Sequence, residues 1–166
     1  MEKASGHDVE IRFAGPGDEG TISSLIFEAF APFREHYTPE AFDYTAASTE
    51  RVRERFAEGP TWLAYAGDEA VGTVSGMPEE ERFYVRSMAI KPTMQRSGIG
   101  QRLLYTLEVF ASDAGYKKLY LYTTFVLPGA KLLYEKNGFY VVRETAPEEW
   151  YGMGGIEMEK ELSDHE

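Results

Sequence analysis

The chain has 166 residues, of which 43 % are apolar, and a formal net charge of −11. That length suits one compact domain, and that apolar share is enough to fill a core, which argues against intrinsic disorder. The absence of cysteine removes disulfides, thiolate metal sites and a cysteine nucleophile together, and the acidic balance argues against nonspecific binding to nucleic acid or to an anionic membrane.

Three histidines are present. His7 and His165 lie near the chain ends, where solvation is expected, and His36 follows Pro32-Phe-Arg-Glu35 as a surface residue rather than a base. No histidine metal site is expected. The stretch Met1 to Asp8 holds no apolar signal core, and no run reaches membrane-spanning length. The expectation is a cytoplasmic protein with one domain over residues 1–166.

In chain order, Val9 to Phe13 alternates as a strand, and Gly15-Pro-Gly-Asp18 breaks it. Asp18 is positioned to cap a helix running to about Phe30, with Ile22, Leu25, Ile26 and Ala29 on one face. Thr38-Pro39 starts a second helix, and Glu50 to Glu58 forms a third that ends at Gly59-Pro60. Two strands follow, Trp62 to Ala66 and Ala70 to Ser75, joined by the polar turn Gly67-Asp-Glu69. Phe83 to Ile90 is a longer strand ended by Lys91-Pro92. From Gly98 to Ala114 the residues Ile99, Leu103, Leu107 and Phe110, flanked by Leu104 and Ala111, share one helix face, and Gly115 terminates it. Lys118 to Thr123 is a strand, Gly129 to Lys136 a short helix, and Phe139 to Arg143 and Gly155 to Glu161 are the last strands. The order predicts an α/β (α+β) fold, a mixed, mostly antiparallel central sheet flanked by helices, with one parallel pair from the crossover between Phe83 and Thr123.

Charge is unevenly spread. Arg82 to Leu107 contains no Asp or Glu but five cations, Arg82, Arg86, Lys91, Arg96 and Arg102. Either this is a chance gap on a solvated face or it is a local anion site in an acidic protein. The loop Gln95-Arg-Ser-Gly-Ile-Gly100 lies inside the gap. Glycines let backbone approach a ligand, and helix N-termini present unpaired N–H groups with partial positive charge. Such amides cradle phosphate or pyrophosphate, and Arg96 adds a fixed cation. A P-loop would need Lys-Ser/Thr after Gly100, where Gln101-Arg102 stands, and a dinucleotide fingerprint would need glycine at Leu103. By itself the fragment Gly98-Ile99-Gly100 fits a tight strand-to-helix turn equally well.

The stretch YVRSMAIKPTMQRSGIGQRLL, Tyr84 to Leu104, together with GAKLLYEKNGF, Gly129 to Phe139, resembles the GNAT superfamily of acyl-CoA-dependent N-acetyltransferases. The first carries a Gln/Arg-x-x-Gly-x-Gly/Ala motif opening a helix; the second is similar to the family's Ala-x-x-x-Tyr-x-x-x-Gly-Phe segment, with a strand between them. The match is strongest over residues 82–142, and the N-terminal half agrees in element order only.

The resemblance implies a GNAT-like sheet with a splayed parallel pair, and acetyl-CoA bound where it splays. Met88, Ala89 and Ile90 would offer backbone groups to the pantetheine arm, and Gln95, Arg96, Ser97, Gly98, Ile99 and Gly100 would hold the pyrophosphate. It implies direct acetyl transfer to a primary amine of a small molecule or peptide, with no covalent enzyme intermediate and no metal. A backbone N–H near Met88 or Ala89 would serve the carbonyl oxygen, and Tyr134 would meet the CoA sulfur. Glu81 is the expected general base, with Glu28 and Glu35 as rivals, and Tyr37, Tyr84 and Arg86 are candidates for the acceptor wall. One position departs from the pattern: Leu127 stands where many members have asparagine. A module that binds acyl-CoA without turning it over is the alternative. The C-terminal strands with Trp150, Tyr151 and Met153 offer either a homodimer face or core packing.

Overall fold

Each expected helix and strand is present in the computed structural model of the chain, which describes residues 8–127 and 129–163; the expectations for His7 and His165 lie outside the described residues. The order is β1 (Glu10–Phe13), α1 (Glu19–Phe30), α2 (Pro39–Thr45), α3 (Thr49–Phe56), β2 (Thr61–Ala66), β3 (Glu69–Glu79), β4 (Arg82–Ile90), α4 (Ile99–Asp113), β5 (Lys118–Thr124), α5 (Ala130–Lys136), β6 (Tyr140–Thr145) and β7 (Gly155–Glu161). Short 3₁₀ turns at Ala31–His36, Pro92–Met94 and Pro147–Glu149 have no counterpart in the sequence reading.

Local chemistry explains the helix starts. The Thr38 hydroxyl accepts from the Ala41 amide at 3.1 Å, with Pro39 at the first helical position, and the Ser48 hydroxyl accepts from the Arg51 amide at 3.2 Å. Both satisfy an amide that the helix leaves unpaired. Asp18 does precede α1, but its carboxylate accepts from Gly15 N–H at 3.0 Å and caps no helix amide. It closes the Gly15–Asp18 turn instead, a local alternative open to aspartate. Strand β3 runs past Ser75 to Glu79 because β4 turns back on it: Gly76, Met77, Pro78 and Glu79 pair with Val85, Tyr84, Phe83 and Arg82. Propensity gave no such signal in Gly-Met-Pro-Glu, and the hairpin partner overrides it.

The seven strands form one sheet in the order β1-β2-β3-β4-β5-β7-β6. Every neighbouring pair is antiparallel except β4 and β5, which are parallel. Helix α4 lays Ile99, Leu103, Leu104, Leu107 and Ala111 against Val71, Val74, Phe83, Val85, Leu119, Leu121 and Met158. A second cluster gathers Ile22, Leu25, Ile26 and Ala29 of α1 with Val52, Leu63 and Ala89. A third joins Tyr37, Ala41 and Phe42 to Met153 and the half-buried Trp150, which ties α2 to the β6–β7 loop. Met153 and Trp150 thus serve core packing within one chain, whereas Tyr151 is exposed.

One irregularity shapes the centre of the sheet. Thr73 pairs with Ala89 and Ser75 with Arg86, so β4 carries one extra residue opposite Val74, and Ser87 adopts a φ of 56°. This is a β-bulge. It reverses the facing of the strand: Phe83 and Val85 belong to the α4 cluster, but Ala89 belongs to the α1 cluster. Leu103, fully buried on the sheet-facing side of α4, tests the core. Leu103→Ala is expected to lower unfolding free energy by about 2–5 kcal/mol, read from the urea midpoint, because the cavity there is closed in by neighbours from several elements.

Candidate functional site

Strands β4 and β5 pair for three residues only: Arg82 with Lys118, Phe83 with Leu119 and Tyr84 with Tyr120. Beyond Tyr84, β4 continues to Ile90 and β5 to Thr124 with no ladder between them. The two strands therefore diverge, and the β5-facing edge of Val85 to Ile90, including Met88, Ala89 and Ile90, is left open. Such an edge exposes backbone donors and acceptors that an extended ligand can pair with as an added strand does. On the β5 side, Thr123 is 8 % exposed and its Oγ1 atom is buried with no hydrogen-bond partner. A buried hydroxyl without a partner is costly, so a polar group belongs against it.

The loop after β4 delivers a second set of unpaired donors. Arg96 has a φ of 64° and Gly98 a φ of 88°. The left-handed turn at Gly98 suits glycine and starts α4 directly. The first α4 amide to find a helix carbonyl is that of Arg102, on Gly98 at 3.1 Å. The amides of Ile99, Gly100 and Gln101 precede it and have no intrahelical acceptor, which leaves a donor-rich, partly positive helix mouth. Ser97 turns its hydroxyl inward onto the Met94 carbonyl. The amide side chain of Gln95 reaches the Ile90 carbonyl at 3.4 Å. Gly100 serves packing as well: a Cβ there would meet Leu133 Cδ2 at 3.3 Å, so its lack of a side chain lets α4 and α5 approach. From Ser97 and Gly98 a groove of about 680 Å³ runs past Arg102 and Tyr105 to Lys136 and Lys160.

The five cations of the acid-free stretch do not act together. Arg82 pairs with Glu159 at 3.0 Å and Glu157 at 3.5 Å, Arg86 with Glu58 at 2.7 Å, and Lys91 with Glu69. Arg102 donates to the Val9 carbonyl. Arg96 is exposed, and among the described residues no carboxylate forms an ion pair with it. The local positive character of the loop thus comes from Arg96 and the α4 mouth, while the other cations are spent on folding contacts.

Tyr134 lies on α5, 9 % exposed, with its ring edge-on to Phe139 at 5.6 Å. Its carbonyl accepts from both Asn137 and Phe139 amides at 3.0 Å, which ends the helix and fixes the residue. Burial pushes the phenol up to about 12, so it remains a proton donor across the physiological range. Tyr134 belongs to the same cluster as Leu119 and Leu121. Strand alternation puts Thr123 on that same face of β5, so the phenol and the unpartnered hydroxyl stand on one side of the split.

The opposite face carries aromatic rings and arginines. Tyr84 stacks on Tyr120 at 5.0 Å and meets Tyr122 at 5.9 Å; Tyr44 meets Trp150 at 6.0 Å and Tyr151 at 5.4 Å. Burial pushes the Tyr84 phenol well above its ordinary value, with Tyr44 adding to the effect. Tyr37 is buried in the third cluster beside them. Arg55, which the sequence reading missed, is 6 % exposed and donates to the Ser87 hydroxyl at 2.6 Å. Its signal was an arginine three residues after Val52 on the buried face of α3.

The proposed base is not brought to this place. Glu81 is exposed at the β3–β4 turn, in a surface groove with Glu79, Glu80, Arg82, Lys117 and Lys118. Met88 lies seven positions further along the chain, roughly 23 Å away if fully extended. Glu28 on α1 and Glu35 in the 3₁₀ turn are both exposed. Leu127 is half-buried in the β5–α5 connection, where its side chain has no polar atom to contribute.

A split parallel pair with a donor-rich helix mouth at its edge places the fold among those of acyl-CoA-dependent acetyltransferases. Residues 23–139 match the model of the acetyltransferase (GNAT) family, and the chain belongs to that family. Over 89 residues it is 32 % identical to a probable N-acetyltransferase family 8 member 5 of Mus musculus, a match covering 50 % of this chain and 39 % of that protein; the chain thus matches less than half the length of this relative. Its fold is shared with PaiA N-acetyltransferase of Thermoplasma acidophilum in complex with coenzyme A, at a TM-score of 0.79 and 20 % identity over 93 % of this chain and 99 % of the other. It is shared also with a GNAT family acetyltransferase of Elizabethkingia anophelis with acetyl-CoA bound, at 0.73 and 22 % over 93 % and 99 %.

The helix mouth generates a direct test. Gly98→Asp forces a side chain into a left-handed turn and sets a carboxylate against any phosphate there. It is expected to weaken coenzyme A binding by about a hundredfold or more in titration calorimetry, as like charges at contact distance near a surface cost several kcal/mol. Gly98→Ala, which adds strain without charge, should lose less. Wild-type affinity in Gly98→Asp would place the phosphate elsewhere.

Proposed function

We propose that this chain is an N-acetyltransferase that passes an acetyl group from acetyl-CoA to a primary amine by direct attack. The observation that carries this reading is the loss of β4–β5 pairing after Tyr84 with the α4 N-terminus at the edge of the gap. The unpaired polar groups fit the cofactor: open edge for an amide-containing arm, helix mouth for a diphosphate, and the groove that runs from Ser97 past Tyr105 to Lys136 for the nucleotide end. Bound there, acetyl-CoA supplies an activated thioester.

The chain's own residues then have defined tasks. Met88, Ala89 and Ile90 hold the arm by backbone pairing, and a main-chain N–H at Met88 or Ala89 meets the carbonyl oxygen, where a fixed donor counts for more than in water. The Gln95 to Gly100 loop holds the phosphates, with Arg96 adding charge. Tyr134 keeps its proton because it is buried, and its hydroxyl serves the sulfur as a donor. Holding both reactants in one cleft supplies much of the rate, about 7–11 kcal/mol in well-oriented systems. This division asks for no nucleophile, in keeping with a chain that lacks cysteine. Glu81, exposed at the far turn, is not needed as the base in this arrangement: an amine delivered in its neutral form attacks the thioester carbonyl, the C–S bond breaks as the C–N bond forms, and the proton that nitrogen loses equals the one the leaving sulfur gains, so the protein supplies no net proton.

Release of free CoA from acetyl-CoA in the presence of an amine panel tests the reading. A protein that binds acetyl-CoA in calorimetry but releases CoA with no amine above the hydrolysis rate would be a binding module instead. Tyr134→Phe should lower kcat by roughly ten- to a hundredfold with little change in cofactor affinity, at the low end of general-acid effects because a thiolate leaves readily. Unchanged kcat would reduce Tyr134 to packing. The pH profile separates the groups further. Because the folded-state phenol titrates at about 12, the wild-type rate should rise with pH as the amine deprotonates, with no loss from Tyr134 ionisation below about pH 10.

A further inference from the structure

The acceptor side of the split holds more positive charge than the chain neutralises. Arg55 is 6 % exposed and the Arg86 side chain 8 % exposed. Glu58 is bonded to Arg86 at 2.7 Å and acts on Arg55 only through space, so one carboxylate serves two guanidinium groups that repel each other. Among the described residues Arg55 has no ion pair, and its guanidinium donates to the neutral Ser87 hydroxyl at 2.6 Å. A guanidinium has five N–H donors, so most of its capacity remains unused. Its other neighbours add no negative charge: the Tyr44 ring lies 5.6 Å away, and Arg51 stands over the same ring at 5.2 Å. Removing a cation from water with no carboxylate bonded to it is costly, and folded chains normally pair such groups.

The location is as informative as the charge. Ser87 is the bulge residue of β4, three positions beyond the last residue paired to β5 and adjacent to Met88. A guanidinium anchored there stands beside the segment of β4 left open at the split, on the face walled by Tyr44, Tyr84 and Trp150.

We propose that Arg55, supported by Arg86 and Tyr44, is the seat for a carboxylate on the acceptor, so that the amines acetylated here are small amino acids with a free carboxylate. The inference rests on the acetyl-transfer reading above and adds the substrate class. A bidentate carboxylate would satisfy the spare guanidinium donors and neutralise the excess charge. It would also let a globally acidic protein hold an anionic substrate, since the local field at the seat is positive although the whole is not.

The test compares each acid with its amide on the wild-type chain: glycine, L-phenylalanine, β-alanine and 4-aminobutanoate against the corresponding amides, with spermidine as the cationic control. The acids should exceed their amides in kcat/KM by about tenfold or more, chiefly through KM, as expected of a site with a charged donor set to satisfy. In Arg55→Met the ratio should fall to about one, and Arg55→Lys should restore part of it. Amides or spermidine turned over as well as the acids would overturn the carboxylate seat while leaving acetyl transfer intact. If no amine releases CoA, L-phenylalanine and its amide are titrated into the protein with CoA present and followed by NMR. Binding of the acid alone, lost in Arg55→Met, upholds the seat without the transfer; equal binding or none overturns it.

Discussion

The structure depends on a ladder that stops. Strands β4 and β5 share three paired positions and then part, although each has several residues still to run. A parallel sheet normally continues its hydrogen bonds to the strand ends, because unpaired backbone polar groups are costly when buried. Here the edges that face each other beyond Tyr84 and Tyr120 carry no ladder, which leaves a slot between the two strands. Helix α4 occupies the crossover between the two strands, so its N-terminus falls at the edge of the slot by topology alone. The loop needs only a left-handed glycine at position 98 to turn the chain from strand into helix. Unpaired helix amides and an unpaired strand edge are thus adjacent for reasons of connectivity.

The bulge at Ser87 makes the second contribution. One extra residue in β4 shifts the inward side chains from the α4 face to the α1 face within the length of one strand. It gives the strand a local bend next to the slot, as bulges commonly do near functional sites. It also offers the Ser87 hydroxyl to Arg55. The same irregularity therefore bends β4 beside the split and seats the Arg55 guanidinium next to it.

How much of this was legible in the sequence follows from what sequence patterns encode. Helix α4 and strands β5 and β7 were readable to within a residue or two, because periodic burial of Ile99, Leu103 and Leu107 or of Leu119 and Leu121 is a local property. The turn into α4 at Gly98 and the place of Tyr134 on α5 were readable through the motif they share with a family. The full length of β3 was not, since Gly76 to Glu79 are strand only because β4 pairs with them. Nor was the fate of the cations. A stretch of sequence with five positive and no negative residues looks like one anion site, yet Arg82, Arg86 and Lys91 find carboxylates contributed by β7, by the segment after α3 and by β3. Long-range pairing decides which charges remain for a ligand. Arg55 shows the converse: it sits in a charged helix, Thr-Glu-Arg-Val-Arg-Glu-Arg-Phe, where nothing distinguishes it from Arg51 and Arg53 except the face it lands on.

The position of the split still needs a cause, and the charged residues at its closed end supply one. Arg82, at the first paired position, lays its guanidinium over the Tyr120 ring at 3.8 Å and reaches Glu159 at 3.0 Å and Glu157 at 3.5 Å on β7. It thus spans β5. Glu159 also pairs with Lys118, and Glu157 with Arg143 on β6, so four strands are joined at one end by a network around two largely buried carboxylates. Single exposed pairs of this kind contribute little, and buried ones lose much of their attraction to desolvation. Their effect here is to fix position. Directly above the network, Tyr84 and Tyr120 stack within 19° of parallel at the last paired step. Side chains of that size fill the gap between the strands on one face and mark where the ladder ends. Above them Tyr122 still meets the Tyr84 ring edge-on at 5.9 Å, but among the described residues no ion pair joins Val85, Arg86 or Ser87 to Leu121 or Tyr122. Closed by charge and ring stacking at one end and free at the other, the strand pair can open in only one direction, toward the mouth of α4.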